Sequence, residues 1–538
     1  MSQYLEKKKI VMQLKEESLV EHGPRLIIIT VTAVFCALLE IIDTTIVNVA
    51  LNNMRGSLGA TLNEISWVIT AYSLANVIVI PLTSWLSQQF GRRNYFAASV
   101  ILFTICSFLC GNAHSVTELI IFRFLQGMGG GALLVTSQTI ITESWPPEKR
   151  AMAQAIYVLG IIVGPTLGPP LGGYIVDNFS WPFIFYINIP VGILAAILTI
   201  QFVRSPSYGA KRSSGEVDWL GIILLTVGLS SLQYILEKGQ EDDWFNSKLI
   251  IILCITAFLG LYLFVWRQLE AKFPVVNLRV LKDSNLRIGV MLTFITGFGT
   301  FGSTFVIPLF TQSILGWSAQ QAGVLQLPST LFVAVMMPVV ATLIQKGVQQ
   351  KWLIAMGLFI FFCFCMLAYR IIVPETGSGD FFWPLMVRGL GLGLCSVPVS
   401  TMSLSTLKGQ QIGEGAAFTG MMRQLGGSVG VALISTFLSR KTSIHRVEVA
   451  THLNVYDLNV QERISKLAAG FRNRGLDSLT SRNSAYQVLE GAVTKQATLL
   501  AYMDVFMFVG IVFVVFVPLV LLFVKRSKNK VNLADAAH

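Results

Sequence analysis

Residues 158–179 read VLGIIVGPTLGPPLGGYIVDNF. The stretch is apolar enough to enter a bilayer, yet it holds five glycines and three prolines, the residue types that most weaken a helix. Gly160, Gly164, Gly168 and Gly172 recur every four residues, and Gly173 follows. That spacing puts bare patches on one helix face, where a neighbouring helix can approach backbone to backbone. Pro165, Pro169 and Pro170 bend the helix and free carbonyls from its hydrogen-bond ladder. A surface that is tight yet bent suits a helix that others seal against or slide past. Plain helix packing is the other reading of the same pattern.

Working outward, the chain has 538 residues, 53% hydrophobic and 13% charged, against about 25% charged in a soluble protein. Mean hydropathy is +0.65. Apolar runs of the roughly 20 residues a membrane helix needs recur along nearly the whole length. The formal charge of +11 reads as basic residues flanking apolar spans rather than as a nucleic-acid footprint. The seven cysteines lie inside apolar runs, which implies no disulfide framework and no metal site. The first 24 residues are polar and lead into a full-length span, the pattern of an uncleaved tail and signal anchor.

Fourteen spans are expected, at 25–50, 64–87, 93–112, 117–140, 151–175, 183–203, 217–236, 248–268, 286–311, 321–344, 351–373, 381–406, 413–438 and 500–524. Basic residues fall in alternate connections: Lys7 to Lys9, Arg92 and Arg93, Lys149 and Arg150, Arg204 with Lys211 and Arg212, a cluster from Arg267 to Arg287, Lys346 and Lys351, and Lys525 to Lys530. That alternation predicts two cytoplasmic termini in a multi-pass inner-membrane protein. The connection 439–499 breaks the charge pattern, but it is long enough to escape the rule, and its apolar residues at helical spacing predict one or two amphipathic helices outside the membrane.

FRFLQGMGGGALLVTSQTI, which contains Arg123, is echoed by VRGLGLGLCSVPVSTMSLS, which contains Arg388. Gly160 and Gly164 are likewise echoed by Gly426 and Gly430. The repeat predicts an all-α polytopic protein of two six-helix bundles with two inserted helices. Its divisions are a cytoplasmic tail 1–24, a first bundle 25–204, inserted helices 205–270, a second bundle 271–524 that includes the external loop 439–499, and a tail 525–538. Paired bundles about a central site are a transporter architecture.

The opening stretch resembles motif C of the major facilitator superfamily, the fifth-helix signature of its proton-coupled antiporters. LEIIDTTIVNVAL (39–51) is similar to the first-helix motif of the fourteen-helix drug:proton antiporters, the EmrB/QacA group. FRFLQGMGGGALL (122–134) resembles motif B, WPFIFYINIPVG (181–192) the entry to the sixth helix, and RQLGGSVG (423–430) the thirteenth. QATLLAYMDVF (496–506) is EmrB-like rather than QacA-like. SWLSQQFGRRNYF (84–96) resembles motif A but has Ser84 for its first Gly and Gln88 for its Asp. The cytoplasmic latch then leans on Gly91, Arg92, Arg93 and Glu148. The resemblance covers nearly the whole chain and implies the major facilitator fold.

Glu40 and Asp43 sit three apart in the first span and share a face. A carboxylate inside a bilayer is costly and is a functional candidate by default. Arg123 is the matching intramembrane cation, which the resemblance assigns to proton transfer; arginine itself stays protonated, so its role is to bias a carboxylate. Proton coupling is therefore expected at Asp43, Glu40 and Arg123. Static ion pairing is the alternative. Arg388, Arg423 and Asp504 are weaker candidates. Trp67, Tyr72, Phe301, Phe305, Met421 and Met422, with Glu40, are candidates for an adaptable cavity wall.

No GxxxxGK[ST] motif is present, so ATP hydrolysis is not the expected energy source. The five histidines lie in loops or tails without metal or catalytic spacing. The expected function is export of small amphipathic, toxic compounds by alternating access in exchange for protons, with no cofactor, no metal, no enzyme activity and no nucleic acid. A dedicated exporter of a lipid, siderophore or metabolite, and a uniporter or symporter of the same fold, remain open. The EmrB resemblance also implies a periplasmic adaptor and an outer-membrane channel as partners.

Overall fold

The structure is a computed structural model that describes residues 19–206, 217–454 and 456–523. The expected tails 525–538 and 1–18, with Lys211 and Arg212, lie outside the described residues. Within them, 13 helices are long and apolar enough to cross a membrane.

The first half contains α1 (Gly23–Leu58), α2 (Leu62–Phe90), α3 (Arg92–Gly111), α4 (Val116–Ser144), α5 (Arg150–Asn178), the short α6 (Phe183–Tyr186) and α7 (Asn188–Phe202). Next come α8 (Trp219–Lys238) and α9 (Lys248–Glu270). The second half contains α10 (Ser284–Ser313), α11 (Ala319–Val324), α12 (Leu327–Gln345), α13 (Gln350–Ile371), α14 (Phe382–Leu404), α15 (Gln410–Thr451), α16 (Leu458–Arg472) and α17 (Ser478–Phe523).

Local chemistry sets the helix ends. Gly59 closes α1 at φ 63°, a left-handed conformation that costs glycine nothing. Thr61 and Glu64 then form a reciprocal capping box that starts α2. Gly91, at φ 81°, turns the chain between α2 and α3 without a loop. Ser115 accepts from the Glu118 amide at 3.2 Å and starts α4.

The same pairings recur in each half. In the first, α1 packs on α4 and α5, α2 on α4, and α3 on α4 and α7. In the second, α10 packs on α14 and α15, α12 on α14, and α13 on α14 and α17. The halves meet along two seams: α5 lies against α11, α12 and α14, and α15 lies against α2 and α4. The helices α8 and α9 pack on each other, and α8 also rests on α2 and α15, flanking that second seam.

The span expected at 413–438 lies within α15 but is not among the 13 apolar enough by composition. Glu414, Arg423 and six glycines dilute its hydropathy. It can afford this because α10, α17, α2 and α4 surround it.

The segment 439–499 differs from the expected loop. Here α15 continues unbroken to Thr451, α17 begins at Ser478, and the amphipathic α16 packs on α17. Extending a formed helix is cheap beside nucleating a new one, and cross-pairs hold the extensions together. Arg446 donates to Glu490 at 2.7 Å. Asp504 accepts from Lys441 at 2.9 Å and meets His445 Nε2 at 3.0 Å. With 46 residues, α17 is about 69 Å long at 1.5 Å per residue, roughly twice the hydrocarbon thickness of a bilayer.

Candidate functional site

The first half encloses a polar network built on α1, α3, α4 and α7. Arg123 Nη1 donates to Asp43 Oδ2 at 2.5 Å and to Gln126 Oε1 at 2.8 Å. Asp43 Oδ1 accepts from Gln126 Nε2 at 3.0 Å and from Asn188 Nδ2 at 2.9 Å. Ser107 Oγ accepts from both amides, at 3.2 and 3.0 Å, and donates to the Phe185 carbonyl at 3.0 Å. Arg123 Nε donates to the Val68 carbonyl at 3.2 Å, and its guanidinium lies 4.0 Å from the Tyr72 ring centre. Asp43 is 0% exposed and Arg123 1%. The carboxylate is thus held by one cation and two amides, inside the first half rather than on an open cavity wall. Such a pair keeps both charges stable in a dry place only while every member is in position.

Glu40 points elsewhere. One turn before Asp43, it accepts from Asn76 Nδ2 of α2 at 2.8 Å. Arg423 of α15 lies within electrostatic reach of it. Tyr72, beside Gly130 and Glu40, has a buried hydroxyl without a hydrogen-bond partner. Glu40 and Tyr72 thus lie together beside Gly130, one turn away from the enclosed Asp43, while Arg423 lies over the Tyr157 ring of α5 at 5.9 Å.

For the glycine stripe, the structure corrects the reading of a surface that others slide past in favour of plain helix packing. A Cβ added at Gly160, Gly164, Gly168 or Gly172 would meet Val34, Ile41, Thr45 or Ile46 of α1. The stripe is close packing inside the first half. Gly426 and Gly430 do the same in the second, against Phe294 and Phe298 of α10. The seam itself is made by the remaining residues of α5. Gly173 faces Gln320, Pro169 and Pro170 face Gly323, and the Thr166 and Thr330 hydroxyls share a hydrogen bond of 2.5 Å.

A second correction concerns the latch. Arg92 is buried and paired with Glu143, at 2.5 and 3.0 Å. Arg93 and Glu148 are exposed; the Arg93 backbone amide donates to Ser205 Oγ at 3.1 Å. The acid that serves Arg92 is therefore the one on α4. Nearby, a polar cluster ties the halves. Gln138 Nε2 donates to Ser400 Oγ at 3.1 Å, Ser400 Oγ to Gln154 Oε1 at 2.6 Å, and Thr419 Oγ1 to Gln138 Oε1 at 3.4 Å. A crevice opens on the same end, lined by Ser84, Gln88, Asn277, Arg279, Gln410 and Glu414.

The proposed cavity walls divide. Trp67 packs on Tyr234 of α8 with ring centres 5.7 Å apart, so it serves the inserted helices instead of a central cavity. Phe301 covers Gly427 between α10 and α15. Phe305 is half-buried against the core. Met421 sits at the seam with Ile80 and Val135, and Met422 packs in the cluster around Leu425. Arg388 is buried on α14 and bonded to Ser303, Gln326 and Thr304.

Sequence reasoning missed Gln126, Asn188, Ser107, Asn76, Glu143, and the Gln138–Gln154–Ser400 cluster. Their shared signal is a hydrogen-bonding side chain inside an apolar run. For Gln126 the i+3 spacing from Arg123 adds a second.

The sequence profile of the Major Facilitator Superfamily matches residues 33–431. The chain is 32% identical over 498 residues to the fatty acid resistance protein FarB of Neisseria gonorrhoeae, covering 93% of this chain and 96% of that one. It is 31% identical over 500 residues to the multidrug export protein EmrB of Escherichia coli strain K12, covering 93% and 95%. Among solved structures, a double-tryptophan mutant of XylE aligns at TM-score 0.59 and 13% identity over 95% of this chain and 98% of that one, a likeness of fold alone. The chain belongs to the major facilitator superfamily and, within it, to the EmrB-like group.

Proposed function

We propose that this chain is a proton-coupled antiporter that exports amphipathic toxic compounds across the bacterial inner membrane. The observation that carries the reading is the buried Asp43–Arg123 pair with Gln126 and Asn188 around it. A proton on Asp43 removes the charge that Arg123 and the two amides hold. The network then loosens, and α1, α4 and α7 are free to shift against one another. Loss of the proton rebuilds it. Arg123 keeps its own proton throughout.

Glu40, one turn from Asp43 and bonded to Asn76, is the partner for cationic substrates. The relatives named for multidrug export and fatty acid resistance support an exporter of amphipathic molecules. The end that carries Gly91, Arg92 and the Gln138–Ser400 contact is the cytoplasmic one, by the excess of basic residues in its connections. The helical extension 439–499 then lies outside, where an adaptor leading to an outer-membrane channel would meet it. Everted vesicles holding the chain test the function: an imposed pH gradient should drive uptake of a fluorescent amphipathic cation, and a protonophore should abolish it. No gradient-dependent uptake of any amphipath would overturn the reading.

A further inference from the structure

The two halves use the same helix pair differently. In the first half, the arginine on α4 faces a carboxylate on α1. In the second, Arg388 on α14 faces α10, and its acceptors there are hydroxyls. Nε donates to Ser303 Oγ at 2.9 Å and Nη2 to Thr304 Oγ1 at 2.6 Å. Nη1 donates to Gln326 Oε1 at 3.3 Å. Among the described residues no carboxylate forms an ion pair with Arg388, although it is only 4% exposed. Buried charges are ordinarily paired, because neutral dipoles do not repay full desolvation.

Three of the five guanidinium N–H groups are taken by these neutral oxygens, leaving one on each terminal nitrogen. A guanidinium with N–H groups to spare is a ready donor to a carboxylate. Thr304 is half-buried; Phe301, three residues earlier, shares its face of α10, and Phe305, the next residue, lies one turn from Phe301 on the adjoining face. That face is enclosed by α11, α14 and α15. A cation at the back with aromatic rings beside it suits a head that is anionic and a tail that is apolar.

We propose that Arg388, with Ser303, Thr304 and Gln326, is a subsite for the carboxylate of an anionic amphipath, whose tail lies along Phe301 and Phe305. The substrate supplies the negative charge that Arg388 lacks beside it. Cationic amphipaths bind toward Glu40 in the first half, so one transporter takes both signs at opposite walls. This deepens the exporter reading and rests on it for the word substrate, but binding at the subsite needs no gradient.

The test uses the full chain in lipid nanodiscs, with empty discs as reference, and titration calorimetry of three probes of equal chain length: dodecanoate, dodecyltrimethylammonium and dodecanol. Arg388→Gln should weaken dodecanoate at least about tenfold, the scale of one lost charge-assisted pair, and leave the other two unchanged. Equal loss of all three, or no loss of dodecanoate, would overturn the proposal. Should Arg388→Gln fail to fold, Thr304→Asp decides: it gives the arginine an internal carboxylate, so it should fold, block dodecanoate and spare the ammonium probe. Unchanged dodecanoate binding in that variant overturns the proposal, as does a selective loss in Arg423→Gln in place of Arg388→Gln. Chloride alone and discs with anionic lipid separate the sources of negative charge. If millimolar chloride, or the lipid, displaces dodecanoate completely, the occupant is an inorganic ion or a lipid headgroup and the amphipath assignment is wrong. Arg388-dependent binding without any gradient-driven transport would leave the subsite standing and remove the exporter function.

Discussion

Arg123 Nη1 lies 2.5 Å from Asp43 Oδ2, and neither side chain reaches the surface. Removing one partner leaves the other charged and unpaired in a dry site, which costs about 3–5 kcal/mol. Arg123→Gln should therefore lower the thermal midpoint of the purified chain markedly, and Asp43→Asn added to it should recover much of the loss. A double variant no more stable than Arg123→Gln would show that the pair is not a coupled unit.

The glycines of α5 divide by what they face. A Cβ at Gly168 meets Thr45 of α1, whereas one at Gly173 meets Gln320 at 3.6 Å, an ordinary contact. Gly168→Leu should cut the yield of folded protein several-fold. Gly173→Ala should be neutral, and Gly173→Trp should fold but slow transport at least about tenfold by wedging the seam between halves. Yield and initial transport rate separate the two. Equal yields for Gly168→Leu and wild type would contradict the packing assigned to the stripe.

Arg92 pairs with Glu143 while Glu148 stays exposed. Glu143→Gln should destabilise the state that is closed at the Gly91 end, seen as faster labelling of a cysteine placed at Ser400. Glu148→Gln should change labelling by less than about twofold, since exposed charges contribute little. Equal effects of the two substitutions would return the latch to the looser grouping of Arg92, Arg93 and Glu148.

Long apolar runs and alternating charge were enough to place nearly every span, because a bilayer demands both. The repeat between Arg123 and Arg388 was also legible, as was the candidacy of Asp43 and Arg123, which the structure pairs, since charges inside apolar runs stand out. Partner choice was not. Glycine spacing says that something approaches closely but not which helix, so it does not single out α1. Trp67 likewise gave no sign that its neighbour would be Tyr234, some 170 residues away in the chain. Gln126, Asn188 and Gln138 are unremarkable one at a time; their meaning appears when three or four helices bring them within hydrogen-bonding distance. At 439–499 the amphipathic α16 is legible in the sequence but the continuations of α15 and α17 are not, because a surface helix and a continued membrane helix share one periodicity.

In the exporter proposed above, Asp43 takes up and releases the proton that drives transport. Asp43→Asn keeps the shape and a hydrogen-bond acceptor for Arg123 but cannot ionise. The decisive measurement is accumulation of a labelled amphipath in proteoliposomes under an imposed pH gradient, normalised to folded protein, beside exchange of that amphipath with no gradient. Asp43→Asn should lose gradient-driven accumulation and keep downhill exchange. Accumulation at the wild-type rate by Asp43→Asn would contradict that role and move the proton site elsewhere.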